Sequence, residues 1–302
     1  DGKVQIVDEF TGRAMPDRTW RAGLHQLVEL KEALELSERQ ETAASITYQR
    51  FFRQYLRASG MTGTGIEVAG EMRSFFDLRT VPVPTYRPVR RRHLGTRMVP
   101  DAGAKHARVL ESVRRMQAAG RPVLIGVRSV SAAEAVSEVL TGAGLPHEVL
   151  SARHDADEAA RVAQAGQAGS IMVATNMAGR GTDIPLGPGV AEAGGLHVIL
   201  TEFHEARRVD RQLYGRAGRQ GEPGSVEDIV AFDDDLFTRH APRLRRLLAG
   251  VPGASRSRLA AALLRRVAQR RAEQAGASLR RAQVQAEKDR LRALAAAGHD
   301  PV

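Results

Sequence analysis

The sequence has 302 residues, of which 42% are hydrophobic, enough to bury a core in one large domain or in two ordinary ones. It contains no cysteine, which excludes thiol catalysis, disulfides and a zinc site built from thiolates. No apolar run approaches the roughly 18 residues of a membrane span, so we expect a soluble chain, with the cytoplasm as its default compartment. The 45 Lys and Arg residues outnumber the 35 Asp and Glu residues, and the net charge of +10 favours anionic partners such as nucleotide phosphates, nucleic acid or acidic lipid.

The first region covers residues 1–79. It begins with Asp1 inside a predicted strand whose apolar part is 4–7, which indicates a piece of a longer protein. Helical spacing follows over 24–36 and 42–56, and the region ends in the short run 60–64. The next segment, 81–88, contains three prolines, which push the residues before them towards extended geometry. We therefore predict a linker there.

The second region, 80–237, alternates between helical and strand patterns. Helices are predicted over 105–119, 131–141, 155–165 and 205–216, and strands over 122–126, 147–150, 170–175, 195–201 and 226–232. Short apolar runs separated by helices imply right-handed crossovers and a mostly parallel sheet. The predicted fold class is therefore α/β, a parallel sheet flanked by helices. Such sheets bind ligands where the carboxyl ends of strands meet loops, here after 175 and 201.

The third region, 238–302, is a basic helical tail. Leu259, Leu263, Leu264 and Val267 follow helical spacing, so we predict an apolar face that packs on something. A solvated helix that leans on its own domain and a helix that binds a partner both stay open. Contact with acidic lipid is a further possibility for four arginines of the tail, Arg265, Arg266, Arg270 and Arg271. No aromatic residue follows Phe237, so a stacking surface for single-stranded nucleic acid is not expected.

The loop after strand 170–175 is the first candidate site. Glycines flank Arg180, so the backbone can approach a ligand while this side chain offers a planar fork to phosphate oxygens. Asp183 can accept hydrogen bonds from ribose hydroxyls or orient Arg180. A tight loop with a salt bridge explains the same residues without a ligand.

The second candidate cluster follows strand 195–201. Gln212, Arg216 and Arg219 recur at spacings of four and three, which places them along one side of a helix end. Two arginines aimed at one point are costly unless an anion lies between them, and a γ-phosphate in transfer is such an anion. An ordinary surface pair balanced by Asp210 or Glu222 is the alternative.

These clusters carry a family resemblance. ATNMAGRGTDI (174–184) and QLYGRAGRQG (212–221) resemble the fifth and sixth motifs of two-domain, RecA-like motor ATPases of the helicase superfamily. Further colinear segments resemble the SecA family of preprotein translocase motors: IVDEFTGR (6–13), GLHQ (23–26), ITYQRFF (46–52), GMTGT (60–64), PHEVL (146–150), AQAG (163–166) and GGLHVI (194–199). The resemblance runs from Asp1 to about Phe237.

The resemblance implies that ATP and Mg²⁺ bind between two RecA-like domains, and that hydrolysis drives unfolded secretory proteins through the SecY channel. Residues 1–79 are then the end of the first motor domain, 80–237 the second, and 238–302 the start of the helical scaffold. The implied site residues are Arg180, Gly181, Asp183 and Gln212 for nucleotide contact, Arg216 and Arg219 as fingers on the γ-phosphate, and Thr62, Gly63 and Thr64 for coupling to domain movement. A simple turn is the alternative for the last three.

The departures from the family pattern matter as much. No Gly-x-x-x-x-Gly-Lys-[Ser/Thr] occurs in the sequence, and Gly2-Lys3 is followed by Val4. We leave Asp8 and Glu9 out of the site, because the resemblance places them away from the catalytic carboxylates. The P-loop and the Mg²⁺ ligands are expected outside this chain, which alone is predicted to be inactive. Two tyrosines replace usual family residues, Tyr214 an arginine and Tyr86 an asparagine, and are expected to alter phosphate sensing and the interdomain hinge.

The partners implied are the SecY channel complex, preproteins, an acidic phospholipid surface and the chain's own upstream P-loop domain, with no specific nucleic acid. The implied location is cytoplasmic and peripheral, on the cytoplasmic face of the cell membrane. Two alternatives stay open. One is the C-terminal half of a nucleic-acid helicase, and the other is a degenerate SecA-like module that regulates a complete motor.

Overall fold

In a computed structural model of the chain, the structure describes residues 2–8, 14–20, 22–38, 45–150, 158–175, 181–251, 253 and 257–296. The strands are β1 (Ile6–Val7), β2 (Ala14–Met15), β3 (Arg90–Val99), β4 (Val123–Val127), β5 (Glu148–Leu150), β6 (Ile171–Thr175), β7 (Leu196–Leu200) and β8 (Pro223–Ala231). The helices are α1 (Leu24–Lys31), α2 (Tyr48–Phe52), α3 (Ala69–Phe76), α4 (Ala102–Ala118), α5 (Val130–Gly142), α6 (Glu158–Gln164), α7 (Arg207–Tyr214), α8 (Asp235–His240), α9 (Pro242–Ala249) and α10 (Arg258–Ala296).

A six-stranded sheet in the order β3-β8-β7-β4-β6-β5 forms the centre of the molecule, and each neighbouring pair in it is parallel. This confirms the predicted α/β class. The interior strands β7, β4 and β6 are buried along their whole length, as expected of parallel strands covered by helices on both faces. Residues 81–88 lie in neither helix nor strand, as predicted.

Alternate residues of each strand enter two separate cores. Leu124, Met172 and Val198 belong to one apolar cluster, which also contains residues of α7, α8 and α10. Their neighbours in the chain, Ile125 and Val173, belong to the other, together with residues of α4 and α5. This is the two-residue period of a strand whose two faces are both covered.

The edge strand β3 was not predicted. Its sequence RRRHLGTRMV carries four arginines, and its register with β8 shifts between His93 and Thr96. Charged side chains are typical of edge strands because they discourage pairing with another chain, but they hide the apolar alternation that indicates a strand. β8 is also longer than predicted and begins at Pro223.

The helical predictions need correction at their ends. The helix predicted over 24–36 ends at Lys31, and the one predicted over 205–216 is Arg207–Tyr214. The pattern over 42–56 gives the short α2, while 42–44 lie outside the described residues. Residues 9–13 of the segment IVDEFTGR lie outside them as well.

The prediction for the packing face of the tail was confirmed for Leu264 and Val267, which pack against the core, and was wrong for Leu259 and Leu263. Leu259 and Leu263 are 84% and 50% exposed, whereas the buried face of α10 is formed by Leu264 and three small residues: Ala261, Ala268 and Ala272. Small side chains let the 39-residue helix lie close to its neighbours. Arg265, predicted as a lipid-facing residue, points into the domain and pairs with Asp210. Among the described residues, no helix has both the length and the apolar character that crossing a membrane requires.

A buried polar network ties β7 to β8. His197 is fully buried and bonds the Glu227 carboxylate through Nε2 at 3.0 Å, while Nδ1 lies 2.8 Å from the Ser225 hydroxyl. Because a carboxylate only accepts, Nε2 carries the proton and Nδ1 accepts from Ser225. Burial lowers the pKa of His197, outweighing Glu227, which raises it. The imidazole is therefore neutral at pH 7 in the folded protein.

The lowered pKa makes stability depend on pH. A depressed histidine pKa contributes stability above the unfolded-state value of about 6.5, and this contribution is lost as the pH falls. We expect the free energy of unfolding, measured with urea between pH 7 and pH 5, to fall by up to about 1.4 kcal/mol per pH unit from this group. His197→Gln should flatten the slope. A variant that is less stable at pH 7 but keeps the original slope would contradict this assignment.

Candidate functional site

A cavity of about 500 Å³ lies at the carboxyl ends of β5 and β6. It is enclosed by the loop after β6, by α7 with the turn that follows it, by β3 and by the run 62–64. Most of the predicted site residues line it: Thr62, Gly63, Thr64, Gly181, Gln212, Arg216 and Arg219. Arg180 lies outside the described residues.

The two arginines of the second cluster converge. Arg216 and Arg219 each donate through Nη1 to the carbonyl oxygen of Thr182, at 3.1 and 3.2 Å. Arg219 also donates to Oδ1 of Asp183 at 2.5 Å and, through Nε, to the Gly215 carbonyl at 3.1 Å. Both guanidinium groups therefore meet the loop after β6 at one point, with the Asp183 carboxylate beside them.

This convergence has a different origin from the one predicted. The helix α7 ends at Tyr214, so Arg216 and Arg219 lie in the turn after it and not on its side. Gly218 makes that turn possible. Its φ is +64°, a left-handed conformation that side-chain-bearing residues seldom adopt, and a Cβ there would lie 2.9 Å from Cβ of Arg91.

The contacts of Asp183 fix its charge state. The hydrogen bond from Arg219 lowers the pKa of Asp183, and this outweighs partial burial, which raises it. The side chain is nevertheless 54% exposed. The carboxylate is therefore ionised at neutral pH and accessible to solvent.

The run 62–64 lines the cavity and is hydrogen-bonded to α7. Gln212 places its amide nitrogen 3.4 Å from Oγ1 of Thr64, and Arg211 donates to the Gly63 carbonyl at 3.2 Å and pairs with Glu67. The chain turns locally at this point, since the Thr64 amide donates to Oγ1 of Thr62 at 3.2 Å. The residues predicted to couple and the residues predicted to bind nucleotide thus belong to one connected surface.

Two further arginines of the cavity were missed. Arg91 in β3 and Arg211 in α7 line the same space, and Arg91 donates to the Ala217 carbonyl at 3.2 Å. Burial lowers the pKa of Arg91, and the charge of Arg211 lowers it further. The arginine run 90–92 was the available signal, but without the strand β3 nothing placed it beside residue 217.

Tyr214, expected to alter phosphate sensing, does not line the cavity. Its hydroxyl is buried and donates to Oδ1 of Asp228 at 2.6 Å, and burial raises its pKa. The substitution therefore fills the core and does not place a phenol at the site. Tyr86 is 97% exposed. Within the ranges that the structure describes, no group of three or more His, Asp or Glu side chains could hold a metal ion.

The turn at Gly218 gives a test of how Arg219 is held. We expect Gly218→Ala to lower the free energy of unfolding by about 1–3 kcal/mol, because it adds left-handed strain and a clash with Arg91. The matched control is Gly120→Ala, which has φ +68° but open space around the added Cβ. The control should cost less, since it carries strain alone. Equal losses in urea unfolding would show that contact with Arg91 plays no part.

Comparison with known proteins gives consistent matches. The model of the SecA P-loop domain matches residues 88–190 and 188–249, and that of the SecA DEAD-like domain matches 4–73. Protein translocase subunit SecA 2 of Nitrosospira multiformis is 52% identical over 300 residues, which are 99% of this chain and 45% of that protein. The corresponding subunit of Bordetella avium is 50% identical over 303 residues, 99% of this chain and 46% of that protein.

The chain thus spans about half the length of the curated relatives it matches, and the similarity continues past Phe237 into the tail. Among solved structures, the E. coli DEAD-box protein SrmB is similar with a TM-score of 0.40 and 21% identity, over 48% of this chain and 81% of that one.

Proposed function

This chain belongs to the SecA family, and from that premise we propose that it forms one wall of the ATP site of a SecA-type motor that moves preproteins through the SecY channel. The opposite wall, with the Walker A loop, is proposed to come from outside this chain. The chain spans about half the length of its relatives. The proposal therefore concerns the part that these residues play in the motor.

The excess of positive charge in the cavity carries the proposal. Four guanidinium groups line it, those of Arg91, Arg211, Arg216 and Arg219. Among the described residues, no Asp or Glu lines the cavity, although Glu67 and Asp183 pair with Arg211 and Arg219 from beside it. Guanidinium groups this close repel one another unless an anion neutralises them. A nucleoside triphosphate is an anion of suitable charge and size.

We assign the roles from the contacts. Arg216 and Arg219 would leave the Thr182 carbonyl for the γ-phosphate, whose developing charge they stabilise as arginine fingers. Asp183 would then be free to accept hydrogen bonds from ribose hydroxyls. Gln212, already bonded to Thr64, would report the nucleotide state to the run 62–64.

The chemistry of the donor set suits the phosphates better than the metal. Mg²⁺ would supply positive charge that neutralises the phosphates. Its preferred ligands in proteins include carboxylate oxygens, whereas the charged side chains among the described residues that line this cavity are all arginines. We therefore propose that the Mg²⁺ ligands, like the P-loop, belong to the opposite wall.

The remaining proposals follow from the family. Residues 1–79 would be the end of the first motor domain, 80–237 the second motor domain, and 238–302 the start of the helical scaffold. The partners would be the SecY complex, preproteins and acidic phospholipid, and the location the cytoplasmic face of the cell membrane.

A chimaera tests the proposed ATP site. We expect the isolated chain to hydrolyse ATP at background rate, because half the cleft is lacking. A chimaera in which it replaces the 300 matched residues of the Nitrosospira relative should turn over ATP. Arg216→Ala or Arg219→Ala in the chimaera should lower kcat by about 10³–10⁵-fold, as for other arginine fingers, in a steady-state phosphate-release assay.

The matched control is Arg114→Ala, at an exposed arginine of α4 that does not line the cavity, which should leave turnover unchanged. Turnover by the isolated chain that Arg216→Ala abolishes would refute the proposal of a missing wall. Strand displacement by the chimaera would favour a nucleic-acid helicase. Inhibition of the intact relative by the added chain would favour a regulatory module.

A further inference from the structure

A buried carboxylate joins α7 to the long helix α10. Asp210 is fully buried and accepts four hydrogen bonds. Two come from His204, through its backbone amide at 2.9 Å and its Nδ1 at 2.8 Å. The others come from α10, from Arg265 at 3.0 Å and Gln269 at 2.7 Å. Arg265 and Gln269 are four residues apart and therefore lie on the same face of that helix.

The contacts of Arg265 extend beyond Asp210. Its guanidinium lies 4.1 Å from the centre of the Phe203 ring, and its Nη1 lies 3.8 Å from the buried carboxylate of Asp228. Gln269 donates in addition to the His204 carbonyl at 2.9 Å. Buried charges are tolerated when they are paired and hydrogen-bonded, as the Asp210 carboxylate is here. The buried Nε2 of His204, in contrast, has no hydrogen-bond partner among the described residues.

Asp210 immediately precedes the two residues that reach the cavity. Successive helical residues are rotated by about 100°, so the side of α7 that carries Asp210 faces α10 while Arg211 and Gln212 face the run 62–64. Because α7 is a helix of only eight residues, it rotates as a unit, and both faces move together. The position of Asp210 thus sets where Arg211 meets Gly63 and Glu67.

The second half of α10 contacts residues on both sides of this run in the sequence. Arg280 binds both carboxylate oxygens of Glu71, at 2.9 and 2.6 Å, and Glu287 accepts from the amide and hydroxyl of Thr47, at 3.1 and 2.5 Å. Glu71 lies in α3, four residues after Glu67. The contacts therefore close a ring that runs from α10 through α7, Glu67 and α3 back to α10.

We propose that Arg265 and Gln269 are positioning residues. They fix α7 through Asp210. As a result, Arg211 and Gln212 hold the run 62–64 together with Glu67, and the turn that carries Arg216 and Arg219 faces the cavity. A displacement of α10 is thereby transmitted to the cavity wall. The functional part of this inference rests on the proposed ATP site, but the mechanical part concerns contacts that exist without nucleotide.

Hydrogen exchange in the isolated chain tests the mechanical part. We expect Gln269→Leu and Arg265→Lys to raise amide exchange over 62–68 by about tenfold, the effect of losing one well-placed hydrogen bond, and to leave β4 and β6 unchanged. The matched controls are Gln285→Leu and Arg266→Lys, at exposed positions of the same helix. They should change nothing. Faster exchange in α7 with none over 62–68, or equal effects in the controls, would overturn the proposal.

A second measurement covers the case in which Arg265→Lys unfolds the domain. The chain has no cysteine, so spin labels at Met61→Cys and Arg208→Cys are specific, and both positions are exposed. Gln269→Leu should broaden their distance distribution, and Gln285→Leu should not. In the chimaera Gln269→Leu should lower kcat more than it raises KM. An unaltered distance distribution refutes the positioning role, whereas a chimaera inactive without any substitution refutes only the proposed function.

Discussion

Arg216 and Arg219 both donate to the Thr182 carbonyl, and the proposed function depends on this convergence. The Asp183 carboxylate lies beside them in a hydrogen bond with Arg219, and the charges of both arginines act on it. With Arg91 and Arg211 close by, the cavity has the electrostatics of an anion site. The site exists because the loop after β6 and the turn after α7 come together at one edge of a parallel sheet, where such folds bind ligands.

Much of this arrangement could be predicted from the sequence. The strands β4, β6 and β7 are continuous apolar runs because both faces of the sheet are covered, and a buried run is the strongest local signal that a parallel strand gives. The two candidate clusters were found from glycines and arginines that follow such strands, whereas residues 62–64 were named from the family resemblance alone. Local pattern was sufficient there because the residues that define the site are close in sequence to the strands that position them.

The parts that could not be predicted depend on partners distant in sequence. β3 contains many arginines because it lies at an edge, and only its pairing with β8 shows that it is a strand. Arg265 looks like one more solvated arginine of the tail, and its inward direction depends on Asp210, 55 residues away. The packing face of α10 is made of alanines, which give little hydrophobic periodicity, so Leu259 and Leu263 suggested the wrong face.

Two ion pairs, one formed by Asp210 within α7 and one by Arg219 in the turn after it, differ in their exposure to solvent. The pair between Arg219 and Asp183 is exposed, and pairs of that kind contribute only about 0–1 kcal/mol, so a highly charged phosphate can displace the carboxylate. The pair between Arg265 and Asp210 is buried, and removing one partner from such a pair costs about 3–5 kcal/mol. This difference is consistent with the proposed transmission of movement between the cavity and the long helix.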